Sequence, residues 1–435
     1  MVGILSYFIV MRYVVSAGGT ELVGLWGLTV GFVSFLRLAD FSGSSGLSRL
    51  VAISADAPRL RVGYIDTTTI WIVGFYTLVG LLAYWPIRSW LIGAVPTELH
   101  TLGINLLSIA IVSMPLGVLG VAESYALDGL GRTGLRVAIN ISAQILFVVV
   151  TLVLLPRLSI LGLAYAQLAQ FSFVVIGARI MLLRSLPEMP ILPWRFSREA
   201  AKVSIPFGIK LQVMSLPMAL FDPLARIALN NLAGLSFVGI YDLTYKIAGN
   251  VRTIIQATMT PFIPRLAQVF AGNRAEARAY AARISGGSIL FTSVAYSMMF
   301  LLAPLLSIFL LGEVSATFVS MLSIMGLAWG LSTYGIVYHL TARATGIVIW
   351  STIGQWLIIF FGVVLYFLMY FENFPVNPAI GVATAVLAGH LVGFILEVFA
   401  FGFPPAPRDR GFLIVLAMMV FALCFTWSTI EFGLA

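Results

Sequence analysis

From Gly134 to Leu155 the chain carries one charged residue, Arg136, and is otherwise built of apolar, small and uncharged polar side chains. Similar stretches lie at residues 2–17, 22–54, 64–93, 101–128, 160–184, 200–232, 236–270, 280–311, 316–341, 346–371, 378–401 and 411–430. Crossing a bilayer takes about 20 apolar residues as a helix. The strands of a membrane barrel would alternate in character and be about half as long. Charged residues make up 10% of the chain and hydrophobic ones 60%, against about 25% charged in soluble domains. The expected fold class is therefore an all-α polytopic membrane protein. The first stretch, Val2 to Val15, is short for a span. It fits a helix clipped by a late start codon or a tilted one, and the first reading is favoured.

The single cysteine, Cys424, excludes a disulfide within the chain and a thiolate metal site. His100, His339 and His390 are far apart and have no zinc-ligand spacing. No metal and no cofactor are expected. The net charge of +8 would suit nucleic acid, but the placement of the charges says otherwise. Fifteen of the 25 Lys and Arg fall in one set of alternate loops, from Arg59 and Arg61 through Arg195, Arg198 and Lys202 to Arg408 and Arg410. The opposite loops hold Arg88 and Arg157. By the positive-inside rule the N-terminus is cytoplasmic and the C-terminus outside. Tyr84, Trp85 and Trp90 fit an outer interfacial belt.

The two halves of the chain echo each other. Gly24-Leu-Trp-Gly-Leu-Thr29 parallels Gly239-Ile-Tyr-Asp-Leu-Thr244, and Arg37 and Arg252 follow at equal distance. Thr133-Gly134 with Gln144 echoes Thr345-Gly346 with Gln355. Both halves keep one orientation, as in a parallel repeat about an axis along the membrane normal, which places substrate between the halves. The expected organisation is an N-lobe of six helices at 1–185, a cytoplasmic connection at 186–199, a C-lobe of six helices at 200–402, and an extra C-terminal helix at 403–435.

Eight basic residues remain inside spans: Arg12, Arg37, Arg49, Arg179, Lys210, Arg226, Lys246 and Arg252. A charge at a helix centre costs about 2.5–3.5 kcal/mol on insertion scales, so it faces a wet cavity or a partner. All but Arg179 sit on the first two helices of each half, with Asp40, Asp222 and Asp242. Arg179 reads as an interfacial snorkelling residue. Arg49 and Lys210 lie toward the cytoplasmic side, where they either snorkel or mark a cytoplasmic entry. Asp222 with Arg226 and Asp242 with Lys246 are spaced i,i+4 and can neutralise each other on one helix face. Arg37 and Asp40 are spaced for the same. The three acids are charge partners or ion-coupling groups. Arg12 and Arg252 have no acid at such spacing and are the leading ligand candidates. Glu123, Asp128 and Glu397 lie in or near spans in the inner half; they read as helix-end or structural acids, with a proton site at one of them as the alternative. A basic, hydrated wall in lipid attracts anions, and arginine clamps phosphate with several charge-assisted hydrogen bonds.

The chain resembles the Wzx-type polysaccharide-unit flippases of the MATE-like MOP superfamily. The resemblance sits in Leu38-Ala-Asp-Phe-Ser-Gly-Ser-Ser-Gly-Leu-Ser-Arg49, Leu127-Asp-Gly-Leu-Gly-Arg132, Ser204-Ile-Pro-Phe207, Asp222 to Leu229, Val238-Gly-Ile-Tyr-Asp-Leu-Thr-Tyr-Lys246 and Pro264-Arg-Leu266. It implies two six-helix lobes that alternate between inward-open and outward-open states. It implies transport of an undecaprenyl-diphosphate-linked oligosaccharide across the bacterial cytoplasmic membrane, for lipopolysaccharide, capsule or exopolysaccharide synthesis. The family's cationic lumen falls on Arg12, Arg37, Arg226, Lys246 and Arg252. Partners on this reading are the lipid-linked oligosaccharide, the bilayer, an H+ or Na+ coupling ion and polysaccharide polymerase machinery, with no nucleic acid. The alternatives are a multidrug/cation antiporter of the same superfamily, which wants acidic cavity walls, and a membrane polymerase or ligase. An enzyme of that kind needs a large outer loop with catalytic groups, whereas the stretch near Trp85 to His100 is short. No enzymatic activity is expected.

Overall fold

A computed structural model of the chain is helical throughout its described parts, with no strand among them. It describes residues 2–38, 44–54, 56–193, 196–259, 274–336 and 378–401, with isolated positions between 269 and 364. The helices are α1 (Val2–Leu38), α2 (Ser44–Ile53), α3 (Pro58–Ala94), α4 (His100–Gly129), α5 (Thr133–Leu158), α6 (Ile160–Ser185), α7 (Arg198–Ala233), α8 (Leu235–Met259), α9 (Arg274–Leu311), α10 (Ala316–Tyr334) and α11 (Pro378–Phe401). Among the described residues, seven helical stretches are long and apolar enough to cross a membrane: Ser6–Val33, Pro58–Ala94, Thr97–Gly129, Thr133–Leu158, Ile160–Ser185, Gly287–Leu311 and Ala316–Tyr334. The spans expected at 346–371 (apart from isolated positions) and 411–430 lie outside the described residues.

Two compact units divide the chain, Met1–Arg226 and Ile227–Ala435. In the first unit, α1 passes through a break at Gly18 and Gly19, where Gly19 has φ 71°. That left-handed conformation is open to glycine at little cost. The first two expected spans therefore meet at a kink and not at a loop. The stretch 22–54, expected as one span, instead ends a helix at Leu38 and starts another at Ser44; residues 39–43, Asp40 included, lie outside the described residues.

Helix α4 is central to this unit and packs against α1, α2, α3 and α6. Its buried Gly103, Ala110, Ser113, Gly117, Gly120, Ala122 and Ala126 explain why. Small side chains let helix backbones approach in lipid, where no hydrophobic force drives helices together. Helices α5 and α6 form a tight hairpin through Ser159, at φ 51°. Gly162 sets its spacing, since a Cβ there would lie 2.6 Å from the Leu154 carbonyl carbon and 2.7 Å from the Leu155 nitrogen. Backbone cannot swing aside, so Gly162→Val is expected to cost about 1–3 kcal/mol or more. A clear fall in the melting temperature of the detergent-purified protein checks this; an unchanged midpoint would contradict the close approach.

In the second unit, α10 is buried on nearly every side and packs against α8, α9 and α11. Ser323 and Thr333 donate to carbonyls one turn back, Val319 O at 2.9 Å and Trp329 O at 2.6 Å. Their hydroxyls are thus satisfied without water, as an apolar setting requires. Ser315 caps the helix by accepting from the Phe318 amide. Ser307 closes the α9–α10 turn, donating to Glu313 O at 2.8 Å and accepting from the Ser315 amide at 2.9 Å. The echoed motifs Gly24–Thr29 on α1 and Gly239–Thr244 on α8 are buried at every position.

Candidate cationic sites

Helix α7 brings Asp222 and Arg226 onto one face one turn apart, and they form an ion pair. Arg226 is buried, its side chain 5% exposed. It lies against α1 at Gly31, where a Cβ would stand 2.8 Å from Nη1. A glycine there leaves room for the guanidinium. Helix α8 repeats the arrangement, with Lys246 Nζ 2.8 Å from the Oδ2 of a fully buried Asp242. Lys246 stays about a third exposed, so its ammonium reaches beyond the pair.

Further along α8, Arg252 is half-buried. Its Cζ sits 5.4 Å from the ring centre of Trp329 on α10, and Nη1 donates to Gln256 Oε1 at 3.5 Å. At 100° per residue, Tyr241, Tyr245, Arg252 and Gln256 fall within an arc of roughly 60° on α8. That face meets an aromatic cluster. Tyr245 packs edge-on to Trp329 at 5.1 Å, Tyr241 stacks on Tyr245 at 5.4 Å, and His390 of α11 lies 5.6 Å from Trp329. His390 bonds Val386 O at 2.9 Å, one turn back. A guanidinium on an indole face keeps its planar fork of N–H donors pointed away from the ring, which suits phosphate.

Both i,i+4 pairs expected from the sequence thus form, and Arg252 lies on the helix that carries one of them. Arg12 is exposed on α1. Arg37, Arg49 and Lys210 sit on α1, α2 and α7, but their side chains lie outside the described residues.

Arg179 departs from the sequence reading. It does not snorkel at an interface; its side chain is 11% exposed and sits between two buried acids. Nη2 is 3.5 Å from Asp66 Oδ1 on α3, and Nη1 is 3.4 Å from Glu123 Oε1 on α4. Nη2 also donates to Pro190 O at 2.9 Å and Nε to Ile191 O at 3.1 Å. The Ser197 amide donates to Thr67 Oγ1 at 2.9 Å. One guanidinium so ties the segment after α6 to the ends of three helices. Asp66 was overlooked in the sequence. The signal was there: Asp66 near the start of α3, and Glu123 and Arg179 near the ends of α4 and α6, all lie beside the basic set of alternate loops. Asp128 pairs with Arg136 at 2.8 Å, the structural role expected of it.

By sequence, no protein-family model matches the chain, and neither does any curated protein. Solved structures do. The chain is similar to an inward-facing multidrug resistance MATE family transporter of the MOP superfamily, with a TM-score of 0.73 and 16% identity over 95% of this chain and 94% of that one. It is similar to the lipid II flippase MurJ in an inward closed conformation, with a TM-score of 0.64 and 13% identity over 93% and 90%. It is also similar to a MOP superfamily transporter from Pyrococcus furiosus, for which reverse polarity of the binding pocket suggests a different function, with a TM-score of 0.63 and 17% identity over 96% and 94%. At these identities the likeness defines the fold. The chain has the all-helical fold of MATE-type MOP superfamily transporters, shared with a lipid flippase.

Proposed function

We propose that the protein is a flippase for an undecaprenyl-diphosphate-linked oligosaccharide, moving it from the inner to the outer leaflet of a bacterial cytoplasmic membrane for surface polysaccharide synthesis. On this proposal the N-terminus is cytoplasmic, the chain forms two six-helix lobes with one extra helix, and transport proceeds by alternating access. The cationic groups Arg12, Arg37, Arg226, Lys246 and Arg252 receive the diphosphate. The observation that carries the proposal is Arg252, a guanidinium held over the Trp329 ring. A guanidinium seated on an aromatic face presents a planar set of N–H donors whose geometry phosphate accepts. The fold supports the proposal to the extent that a lipid II flippase shares it.

A multidrug transporter is the second reading, favoured by the higher TM-score of the MATE transporter and by the carboxylates that offset Arg226 and Lys246. Mass spectrometry of a deletion strain separates the two. The flippase reading expects a lipid-diphosphate-linked oligosaccharide to accumulate and to vanish on complementation. An unchanged lipid pool with drug hypersensitivity would favour the second reading.

A further inference from the structure

Helices α4, α5 and α6 of the first unit line a cavity of about 750 Å³, within the ~300–1,000 Å³ of small-molecule sites. Its walls are mostly apolar, but hydrogen-bonding groups converge on it. Ser124 and Tyr125 of α4 line it, and their hydroxyls make no hydrogen bond among the described residues. Asn140 of α5 donates to Arg136 O at 3.0 Å, which leaves its amide oxygen available. One turn on, Gln144 Oε1 accepts from Gln170 Nε2 of α6 at 3.0 Å. The other half of each amide, a donor on Gln144 and an acceptor on Gln170, remains. Phe171 adds a second aromatic ring beside Tyr125.

The cavity's charge is settled by its neighbours. Arg136 reaches it but is neutralised by Asp128 at 2.8 Å. No carboxylate lines it. With Arg136 paired to Asp128 and no carboxylate in the lining, the cavity has little net charge to draw an ion. Ser124 is buried, and its unused hydroxyl beside apolar walls is costly unless a ligand or water meets it. The groups on offer are uncharged, mixed in donor and acceptor sense, and accompanied by two aromatic rings. The exposed Val121, Val137 and Ile141 border the space with apolar side chains, which suits a ligand that also carries an alkyl portion.

We propose that this cavity is a subsite for a neutral sugar ring, its hydroxyls bonded by the amides of Asn140, Gln144 and Gln170 and by Ser124, its C–H face against Tyr125 or Phe171. The inference rests on the proposed function only in taking that ring to be part of the transported glycan; binding of a simple glycoside does not depend on it.

The test is protection of an introduced thiol. In a Cys424→Ser background, Ser124→Cys is labelled with a membrane-permeant maleimide. The protein is kept in octaethylene glycol monododecyl ether, and dodecyl maltoside, which has the same alkyl chain and a sugar head, is added. Labelling is expected to slow about tenfold with the maltoside, and Gln144→Leu is expected to remove the protection. Asn140→Cys is a second reporter if Ser124→Cys fails to fold. Equal rates in both detergents, protection indifferent to Gln144→Leu, or no labelling in either detergent would each overturn the subsite. Protection without glycan flipping would sink the proposed function and leave the subsite standing. Flipping without protection would sink the subsite alone.

Discussion

Arg179→Ala is expected to destabilise the protein by about 3–5 kcal/mol, the range for removing one partner of a buried ion pair. Asp66 is fully buried and Glu123 is 2% exposed, so the loss leaves two carboxylates facing each other with their shared cation gone. The same change frees the carbonyls of Pro190 and Ile191, and the segment after α6 loses its tie to the helices. Two readouts follow. The amount of folded protein recovered from membranes should fall sharply, and limited proteolysis should cut near 187–193 faster than in the unaltered chain. The cost lies in the stranded acids, so Arg179→Met with Asp66→Asn and Glu123→Gln should recover much of the stability. A single Arg179→Ala variant that melts like the unaltered protein would show that the cluster contributes nothing.

Arg252→Ala is expected to act on transport and not on folding. Losing the contact with Trp329 costs about 0.5–2 kcal/mol of stability, too little to clear the protein from the membrane. A hydrogen bond from a charged group to phosphate is worth about 1.5–3 kcal/mol, and 1.4 kcal/mol is a factor of ten. Transport of a diphosphate should therefore fall about ten- to a hundredfold at unchanged protein level. Arg252→Lys keeps the charge but not the planar fork, and should recover only part of it. Full surface polysaccharide in cells carrying Arg252→Ala would remove this residue from the site.

What was legible in the sequence was whatever rests on one helix. Spans expected at 134–155 and 160–184 became α5 and α6 with little change, because length and the absence of charge decide them. Asp222 with Arg226 and Asp242 with Lys246 pair as their spacing implied, since i,i+4 neighbours share a face whatever the fold. The kink at Gly19 was hidden, because hydropathy marks where a run is apolar and not where its backbone turns. The Asp66–Arg179 contact bridges 113 positions, and the aromatic seat of Arg252 joins α8 to α10 and α11. Such partners are chosen by packing, and no local spacing announces them.

The flippase account is tested most directly in vesicles holding the purified full chain. A labelled undecaprenyl-diphosphate oligosaccharide starts in one leaflet, and its arrival in the other is followed with a membrane-impermeant glycosidase. The account predicts that the protein speeds this arrival well above empty vesicles and that Arg252→Ala brings it back toward the empty-vesicle rate. Arrival no faster than in empty vesicles, while the same vesicles transport a cationic dye, would contradict it.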